Sequence, residues 1–392
     1  MPAPRPATEE DRKYQLLQVQ LADLARQDLR PAIAKATELL LEAGTAQRTV
    51  EAPLPFSLGQ RRFEIVHRGS FTPTGPGSAA IEHFEVHRLS DGSVIAGLVR
   101  KQILRLGHDG EQHGWLYEAL FYSGLAAELQ MPVVVIPRLF GGMVEPGAVT
   151  MIIEYLPAAT RPLVLPWYQQ TAMAIGKLGA VTSLKELQHT EWLTPYRLGM
   201  TTSTLDSLEA LAVRCLAGAR ESGRILTLIE ELLGNPRLLG AIRSEAYSCV
   251  AHGDIHSRNV IRMHAKHEAV GLIDWGKVCS SIIGQDMALP FLPRYVVSRD
   301  WSHAGDFAFA AAAVQDAIFQ GVSATGPGFQ PERVSLGLDL AIVQLTAVFA
   351  ERFANSFDER LAPDEIRRRE LRMAEIFRHA ATIIEALNNR FA

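Results

Sequence analysis

One short stretch in the second half of the chain constrains the fold more than any other. Two short strand-like runs, residues 259–263 and 269–273, are separated by a polar turn over residues 264–268. This spacing predicts a β-hairpin, although the sequence around it, from Pro157 onward, has mostly helical periodicity. A hairpin brings the residue after its second strand back beside the start of its first strand. The polar residues at those two positions are therefore candidates for a single site.

The residues that flank this hairpin carry two carboxylates and a carboxamide. The first strand follows the string His252-Gly253-Asp254-Ile255-His256-Ser257-Arg258-Asn259, and the second precedes Asp274-Trp275-Gly276. Oxygen ligands of this kind suit Mg²⁺, a hard cation that prefers carboxylate, carbonyl and phosphate oxygens. A carboxylate that is not bound to metal can accept a proton from a hydroxyl. Phosphoryl transfer requires these groups together with a cation on the donor phosphates.

Each of these residues also has a simpler structural explanation. Asp and Asn commonly cap loops and helices, and this would explain any one of the three alone. Their occurrence together, in this order, favours the chemical interpretation. Nearby histidines suggest zinc, but no His-Glu-x-x-His motif or paired Cys spacing supports it. These histidines are His252, His256, His264 and His267.

Composition places the chain among globular proteins. Its 392 residues predict two or three domains, or one two-lobed unit with an extension, and 47% hydrophobic residues suffice for a sizeable core. Lys+Arg is 39 and Asp+Glu is 43, and this balance argues against a nucleic-acid-binding protein. There is no apolar run of ~18 residues, no signal peptide and no disulfide framework among the 3 cysteines. We therefore expect a cytoplasmic protein with no membrane or nucleic-acid partner.

The remaining sequence predicts an α+β fold. Residues 9–43 have helical periodicity that Pro31 interrupts, and residues 44–59 are predicted to be a linker. Strand patterns on either side of the turn Ser90-Asp91-Gly92-Ser93 predict a sheet with one inserted helix. The predicted domains are a helical extension with its linker, a small sheet lobe and a large helical lobe. Their boundaries are 1–59, 60–156 and 157–392.

The motif His-Gly-Asp-x-His-x-x-Asn followed by Ile-Asp-Trp resembles the aminoglycoside phosphotransferase and choline kinase superfamily, small-molecule relatives of protein kinases. The resemblance covers roughly residues 60–320 and is strongest at 252–276. It implies a two-lobed protein-kinase-like fold in which the helical lobe carries a catalytic hairpin. It also implies an enzyme that depends on ATP (or GTP) and Mg²⁺ and moves the γ-phosphoryl group to a hydroxyl of a small molecule.

The resemblance implies roles for the residues of the motif. Asp254 is the implied catalytic base, and Asn259 and Asp274 are the implied Mg²⁺ ligands. The implied supports of the catalytic loop are His252, His256 and Asp286. Asp286 would anchor the loop through hydrogen bonds to its backbone, which is compatible with a position at the start of a helix.

A kinase-like fold also needs a lysine on its third strand paired with a glutamate on the next helix. Lys101 and Glu118 occupy those positions, although a solvent-exposed lysine at a strand end is the structural alternative for Lys101. Other residues could supply the same charges. They are Arg100 and Arg105 for the cation, and Glu111 and Glu128 for the acid.

Two further segments have implied contacts with the nucleotide. Residues 74–78 lie where a phosphate-covering loop belongs, with Gly77 and Ser78 as its contacts, but Pro76 lacks an N–H and a plain turn fits equally well. Residues 152–157 resemble the hinge between lobes. There the Glu154 carbonyl and Leu156 N–H would pair with adenine, and Ile153 would lie behind it.

The motif gives the reaction but not the acceptor, which could be an aminoglycoside, a macrolide, an amino alcohol or a sugar. An aminoglycoside is a polycation and would need several carboxylates, and a choline-type cation would need a cage of aromatic rings. The sequence shows no dense cluster of either kind. The apolar character of residues 287–322 favours a neutral or partly hydrophobic acceptor. The carboxylate candidates are Asp300, Asp306 and Asp316, and the ring candidates are Trp275, Tyr295, Trp301 and Phe307.

Two other functions compete with the phosphotransferase prediction. A protein serine/threonine kinase is disfavoured by His256, where protein kinases usually carry lysine, and by the lack of an Ala-Pro-Glu segment. A non-catalytic nucleotide-binding module has no need for the complete set of Asp254, Asn259 and Asp274. The helical extension is expected to pack against the small lobe or to mediate a homodimer.

Overall fold

A computed structural model describes most of the chain, which contacts divide into two compact units. Unit 1 is Met1–Ala159 with Ile261–Val278, and unit 2 is Thr160–Val260 with Cys279–Ala392. The chain therefore changes unit within the segment predicted to be a hairpin. The described residues are 9–24, 31–45, 53–71, 78–105, 114–157, 165–196, 202–216, 218–263, 269–298, 306–348, 350 and 361–391.

Unit 1 contains a six-stranded antiparallel sheet with the strand order β1-β2-β3-β4-β7-β6. The predicted turn joins β3 to β4, where the Asp91 carboxylate accepts the Ser93 N–H at 3.0 Å and Gly92 has a φ of 68°. The strands are β1 Leu54–Leu58, β2 Arg61–Phe71, β3 Ser78–Arg88, β4 Val94–Leu104, β6 Leu139–Glu145 and β7 Ala148–Glu154.

Strand β1 lies in the segment predicted to be a linker, so that prediction was wrong in part. Pro53 and Pro55 concealed the strand, but proline is tolerated at a sheet edge, where β1 lies. The apolar residues of β1 alternate, and Phe56 stacks on Phe63 of β2 with ring centroids 5.3 Å apart. This contact gives the edge strand a buried anchor.

Two helices precede the sheet, α1 (Glu9–Leu24) and α2 (Pro31–Thr45). Pro31 begins α2, as the predicted interruption requires, because proline fits the first turn of a helix. One sheet face and α2 share a core that includes Phe84, Leu98, Ala36 and Leu40. The predicted packing of the extension against the sheet is therefore present within one chain.

Helix α3 (Gly114–Ser123) follows β4 and lies against α1. The Lys13 ammonium lies 3.2 Å from the Tyr117 hydroxyl, and the Ser123 hydroxyl donates to Gln20 at 2.7 Å. A short 3-10 helix (Leu125–Leu129) comes next, and then the two-residue strand β5 (Val134–Val135).

The predicted hairpin is confirmed. Strands β9 (Val260–Arg262) and β10 (Val270–Leu272) are neighbours in a three-stranded sheet with the order β5-β10-β9. The turn residues 264–268, which include two of the four candidate zinc ligands, lie outside the described part of the chain.

Unit 2 is mostly helical, with one two-stranded sheet of β8 (Ser248–Ala251) and β11 (Cys279–Ile282). Glycines allow its helices to pack closely. A Cβ at Gly176 would lie 2.1 Å from the Ile318 carbonyl oxygen. The helices are α4 Leu165–Leu184, α5 Thr202–Cys215, α6 Ala219–Leu233, α7 Pro236–Glu245, α8 Ala288–Val297, α9 Phe307–Ser323, α10 Pro331–Val348 and α11 Pro363–Phe391, with 3-10 turns at Leu187–His189 and Gln285–Met287.

The predicted α+β class is confirmed: a sheet unit with a helix after its lysine-bearing strand, and a helical unit that the chain leaves and re-enters around a β-hairpin. Within the described ranges, no helix is both long and apolar enough to cross a membrane.

Candidate active site

Two neighbouring cations on β4 lie on opposite faces of the sheet. Adjacent residues of a strand alternate between its faces. Arg100 points to the α2 side, where its Nε donates to Glu82 at 2.7 Å and its Nη1 donates to the Leu40 carbonyl at 3.2 Å. Lys101 points the other way, and its Nζ lies 2.6 Å from Oε2 of Glu118 on α3. The structure thus pairs Lys101 and Glu118, and it gives Arg100 a different partner.

The three remaining candidates for this ion pair are Arg105, Glu128 and Glu111. Arg105 is exposed just after the end of β4, and Glu128 is exposed in the 3-10 helix after α3. Glu111 lies outside the described residues.

Lys101 also reaches the hairpin motif. Its Nζ lies 2.6 Å from Oδ1 of Asp274, although 173 positions separate the two residues. The side chains of Lys101 and Glu118 are 7% and 2% exposed, whereas that of Asp274 is 48% exposed. The cluster therefore consists of a buried ion pair, Lys101 with Glu118, and one carboxylate, that of Asp274, which solvent can reach.

Burial works against the charged form of Lys101, but the carboxylates of Glu118 and Asp274 outweigh it and raise the lysine pKa. Burial also raises the pKa of Glu118, so the adjacent ammonium is what favours its ionised form. This lysine is a permanent positive charge held at a fixed position.

The backbone of Asp274 is in the left-handed region, with a φ of 64°. A non-glycine residue there needs its surroundings to hold it. The next side chain, Trp275, is fully buried and stacks on Phe121 of α3, with ring centroids 3.9 Å apart and planes 10° apart. Its Nε1 donates to the Leu272 carbonyl at 3.1 Å. Trp275 therefore fixes the turn that presents Asp274.

A second residue of α3, Tyr122, also lies behind Asp274. Burial, followed by the negative charges of Glu118 and Asp274, raises the pKa of its phenol. Its hydroxyl is enclosed and lies beside the Asp274 backbone. Phe121 and Tyr122 were not among the predicted site residues, yet they follow Glu118 by three and four positions. That spacing places them within one turn of Glu118 on the same helix.

In unit 2, the predicted catalytic loop is held through its backbone. Both carboxylate oxygens of Asp286 accept N–H groups, from His252 at 2.6 Å and from Gly253 at 2.9 Å. Gly253 has a φ of 78°, which favours glycine there. Burial raises the pKa of Asp286 to about 6, and the two N–H donors work in the opposite direction.

The histidines of the loop also accept backbone N–H groups. His252 Nδ1 accepts from Asp254 at 3.3 Å, and His256 Nδ1 accepts from Arg258 at 3.2 Å. Each imidazole therefore holds the N–H two residues ahead, a local pattern that stabilises a turn. Within the described part of the chain there is no group of three or more His, Cys, Asp or Glu side chains placed to hold a metal.

Asn259 is buried, and its Nδ2 donates to the Asp254 carbonyl at 3.0 Å. This bond uses the amide nitrogen, so the amide oxygen is the atom left to act as a ligand. The Asp254 side chain is partly exposed. The carboxamide of Asn259 and the carboxylate of Asp274 are each hard oxygen donors, the type of ligand that Mg²⁺ accepts beside water and phosphate oxygens.

The predicted hinge follows β7. The Glu154 N–H donates to the Arg138 carbonyl at 2.8 Å, and the Tyr155 N–H donates to Gly97 at 3.0 Å. Ile153 is buried opposite Val99, and Leu156 is buried beside Gly271. In the predicted phosphate-covering loop, Gly77 lies outside the described residues, and Ser78 is the first residue of β3.

Most of the candidate acceptor residues that are described have structural roles. Trp275, Tyr295 and Phe307 are buried, so they offer no open ring face to a cation. Asp306 caps α9 by accepting the Phe309 N–H at 2.9 Å. Asp300 and Trp301 lie outside the described residues. Asp316 instead lines a cavity of about 450 Å³ between α4 and α9, together with the exposed ring of Phe309.

Solved structures with related folds align along most of the chain. An amicoumacin kinase in complex with AMP-PNP, Ca²⁺ and Ami is 10% identical, covering 89% of this chain and 96% of that one, with a TM-score of 0.49. For Plasmodium vivax ethanolamine kinase the identity is 12%, the coverage 98% of both chains and the TM-score 0.42. Aminoglycoside phosphotransferase APH(3'')-Id from Streptomyces rimosus, in complex with ADP and streptomycin, is 16% identical, covering 80% of this chain and 97% of that one, with a TM-score of 0.37.

Scores of this size carry no functional argument, and no curated protein sequence matches the chain. A family model gives the assignment instead. The model of the phosphotransferase enzyme family matches residues 96–328, which is more than half of the chain and includes the pair on β4 and α3, the catalytic loop and the hairpin. The resemblance and the predicted enzyme class, a small-molecule phosphotransferase, are thereby confirmed, and the chain belongs to the phosphotransferase enzyme family.

Proposed function

We propose that this protein transfers the γ-phosphoryl group of ATP to a hydroxyl group of a small molecule, with Mg²⁺ as the metal. The observation that carries the proposal is the Lys101 cluster. A buried lysine between two carboxylates, one buried and one open to solvent, is a fixed cation beside a metal ligand. Phosphoryl transfer needs both, because catalysis there consists mainly of positioning and charge stabilisation.

In this proposal Lys101 binds the α- and β-phosphates of the donor. Glu118 would not touch the phosphates; its carboxylate lies 2.6 Å from the ammonium and holds it in place. A nucleotide would add negative charge near Lys101, which replaces part of the attraction that Asp274 supplies. The Asp274 carboxylate would then be able to turn toward a metal.

Asn259 and Asp274 are the residues that would hold Mg²⁺, and the ion would neutralise charge on the donor phosphates when bound. Asn259 is suited to this because its nitrogen is already engaged by the Asp254 carbonyl.

The nucleobase would lie against Ile153, Glu154 and Leu156, and the phosphates would be covered by Gly77 and Ser78. GTP is the alternative donor.

Asp254 is the proposed base. It lies in a loop whose backbone is fixed on both sides, by Asp286 before it and by Asn259 after it. Its carboxylate would accept the proton of the acceptor hydroxyl as the oxygen attacks the phosphoryl group. His252 and His256 position the same loop through their bonds to backbone N–H groups.

The acceptor class is inferred from the state of the candidate acceptor residues that the structure describes. The buried state of Trp275, Tyr295 and Phe307 disfavours a quaternary ammonium held by these rings. The carboxylate of Asp306 is occupied as a helix cap, which removes one anion from a polycation site. A neutral or partly hydrophobic molecule that carries a hydroxyl group is therefore the proposed acceptor.

The test is an ATP-consumption screen with aminoglycosides, macrolides, amino alcohols and sugars. We expect Mg²⁺-dependent consumption with at least one acceptor, and a ~10²- to 10⁴-fold lower kcat for Asp254→Ala with ATP binding retained. Asp91→Ala is the matched control, because this carboxylate serves only the β3–β4 turn. Near-normal turnover of Asp254→Ala would contradict the assignment of the base.

A further inference from the structure

We propose that His83 and Tyr155 form a stacked ring pair that positions residues 154–156 for the nucleobase, so that His83 is a positioning residue for nucleotide binding. The inference rests on the proposed function, because it assumes that this face of the sheet of unit 1 receives a nucleotide. Neither residue belongs to the catalytic motif or to the Lys101 cluster.

The two rings are close and nearly parallel. Their centroids lie 3.8 Å apart, and their planes differ by 18°. Both side chains are half-buried, so each ring covers one face of the other and keeps the remainder accessible. Aromatic pairs in such contact are stabilising beyond the area they bury.

The pair lies on the same sheet face as Lys101. In the β3–β4 register, His83 is opposite Val99 and Ile81 is opposite Lys101. Side chains two positions apart on a strand share a face and are about 7 Å apart along it. His83 therefore lies one such step from the proposed phosphate-binding lysine, a spacing that the ribose of a nucleotide can bridge.

Tyr155 is fixed in three ways. Its ring stacks on His83, and its N–H donates to the Gly97 carbonyl at 3.0 Å. Gly97 also permits close approach, because a Cβ there would lie 3.0 Å from the Tyr155 Cβ. With ring and backbone both held, the peptide between Tyr155 and Leu156 has a set direction.

That peptide carries a donor that the protein leaves open. In the described part of the chain the Leu156 N–H makes no hydrogen bond, whereas the N–H groups of Glu154 and Tyr155 are both paired. A nucleobase acceptor atom could take this N–H, and the stacked pair would determine where it points.

The chemistry of His83 is that of a neutral ring. Its Nε2 is enclosed and finds no partner among the described residues. Burial lowers the pKa of this imidazole, the Glu85 carboxylate opposes that effect, and Arg68 and His67 reinforce it. An uncharged imidazole without hydrogen-bond partners at Nε2 contributes as an aromatic surface rather than as an acid or base.

The test compares the binding of ATP and of inorganic tripolyphosphate, which lacks the base, by calorimetry on the full-length protein. We expect His83→Ala to weaken ATP binding about three- to tenfold, the range of an aromatic pair, and to leave tripolyphosphate binding unchanged. His83→Phe should restore ATP binding, since it keeps the stack. Gly97→Ala should weaken ATP binding as well, because it displaces Tyr155.

The matched control is His87→Ala on the same strand, where the imidazole pairs with Glu85 and does not stack on Tyr155. It should bind ATP as the unaltered enzyme does. Two results would overturn the role of His83 and leave the proposed function standing. One is an equal loss of affinity for ATP and for tripolyphosphate in His83→Ala. The other is a His83→Phe variant that binds ATP no more tightly than His83→Ala. A failure of the unaltered enzyme to bind ATP would contradict the proposed function itself.

Discussion

The Lys101 cluster of unit 1 and the Asp254 loop of unit 2 solve the same problem in different ways. Each must hold a charged side chain in place. In the cluster, charged side chains from β4, α3 and the end of the hairpin hold one another. In the loop, the buried carboxylate of Asp286 and the buried amide of Asn259 hydrogen-bond to the backbone. The position of the Asp254 side chain follows from the position of that backbone. The first arrangement is sensitive to charge, and the second is sensitive to hydrogen-bond geometry.

The sharpest test of the first arrangement is a comparison of adjacent residues. Lys101→Met should lower kcat about 10²- to 10³-fold, because it removes a positioned cation from the donor phosphates. Arg100→Met is the matched control, since Arg100 forms a buried ion pair with Glu82 on the opposite face. Steady-state kinetics on the folded fraction of each variant measures the difference in kcat between Lys101→Met and Arg100→Met.

Both variants leave a buried carboxylate without its cation, so both should lose stability, by about 3–5 kcal/mol in each case. Thermal unfolding measures this loss. Equal turnover of folded Lys101→Met and folded Arg100→Met would contradict the special role of Lys101.

Removing the loop anchor should have the next largest effect. Asp286→Ala leaves the N–H groups of His252 and Gly253 buried without an acceptor, at a cost of about 1.5–3 kcal/mol for bonds to a charged group. We expect kcat to fall about 10- to 100-fold, because Asp254 loses its fixed position. ATP binding should be nearly unchanged, and calorimetry checks this. A large loss of ATP binding with normal kcat would show that the loop does not depend on Asp286.

Because of Asp286, the Asp254 loop should respond to pH, whereas the Lys101 cluster should not. Burial raises the pKa of Asp286 to about 6, so the form that accepts two N–H groups is present above that pH and is lost as pH falls through it. Turnover should decline to about half near pH 6, while Lys101 stays charged. The pH profile of kcat measures this.

Stability should change in the opposite sense. A carboxyl with a raised folded pKa stabilises the fold at low pH, and this contribution disappears as pH rises from the unfolded value toward about 6. Asp286→Asn should flatten both profiles, and an unaltered acid limb in that variant would assign the limb to another group.

The smallest expected effect concerns the support of Asp274. Tyr122→Phe removes only an enclosed hydroxyl beside the Asp274 backbone, and this hydroxyl makes no hydrogen bond within the described residues. We therefore expect the apparent Mg²⁺ affinity to weaken by less than about fivefold, the equivalent of one hydrogen bond of about 1 kcal/mol. Tyr117→Phe is the matched control on the same helix, because its hydroxyl contacts Lys13 instead. A titration of turnover with Mg²⁺ distinguishes them, and equal curves would remove Tyr122 from the site.

Local sequence indicated the loop because several of its hydrogen bonds are local. They join His252 with Asp254, His256 with Arg258, and Asn259 with Asp254. The anchor from Asp286, which lies 34 and 33 positions from its two partners, is not local. The hairpin was also predictable, since two short strand-like runs on either side of a polar turn favour this structure. The strand hidden by Pro53 and Pro55 shows the limit, because a proline signal is ambiguous until the position of the strand in its sheet is known.

The sequence by itself determined the candidate residues for the chemistry: the carboxylates, the amide and the lysine, in an order that matches one family. Only the tertiary structure decided which of them meet. The choice of Lys101 over Arg100 depends on which face of β4 turns toward α3, and a one-residue change of register would exchange them. The stacks of Phe121 on Trp275 and of His83 on Tyr155 depend on contacts between residues far apart in the chain. Such contacts arise from packing, which no local pattern encodes.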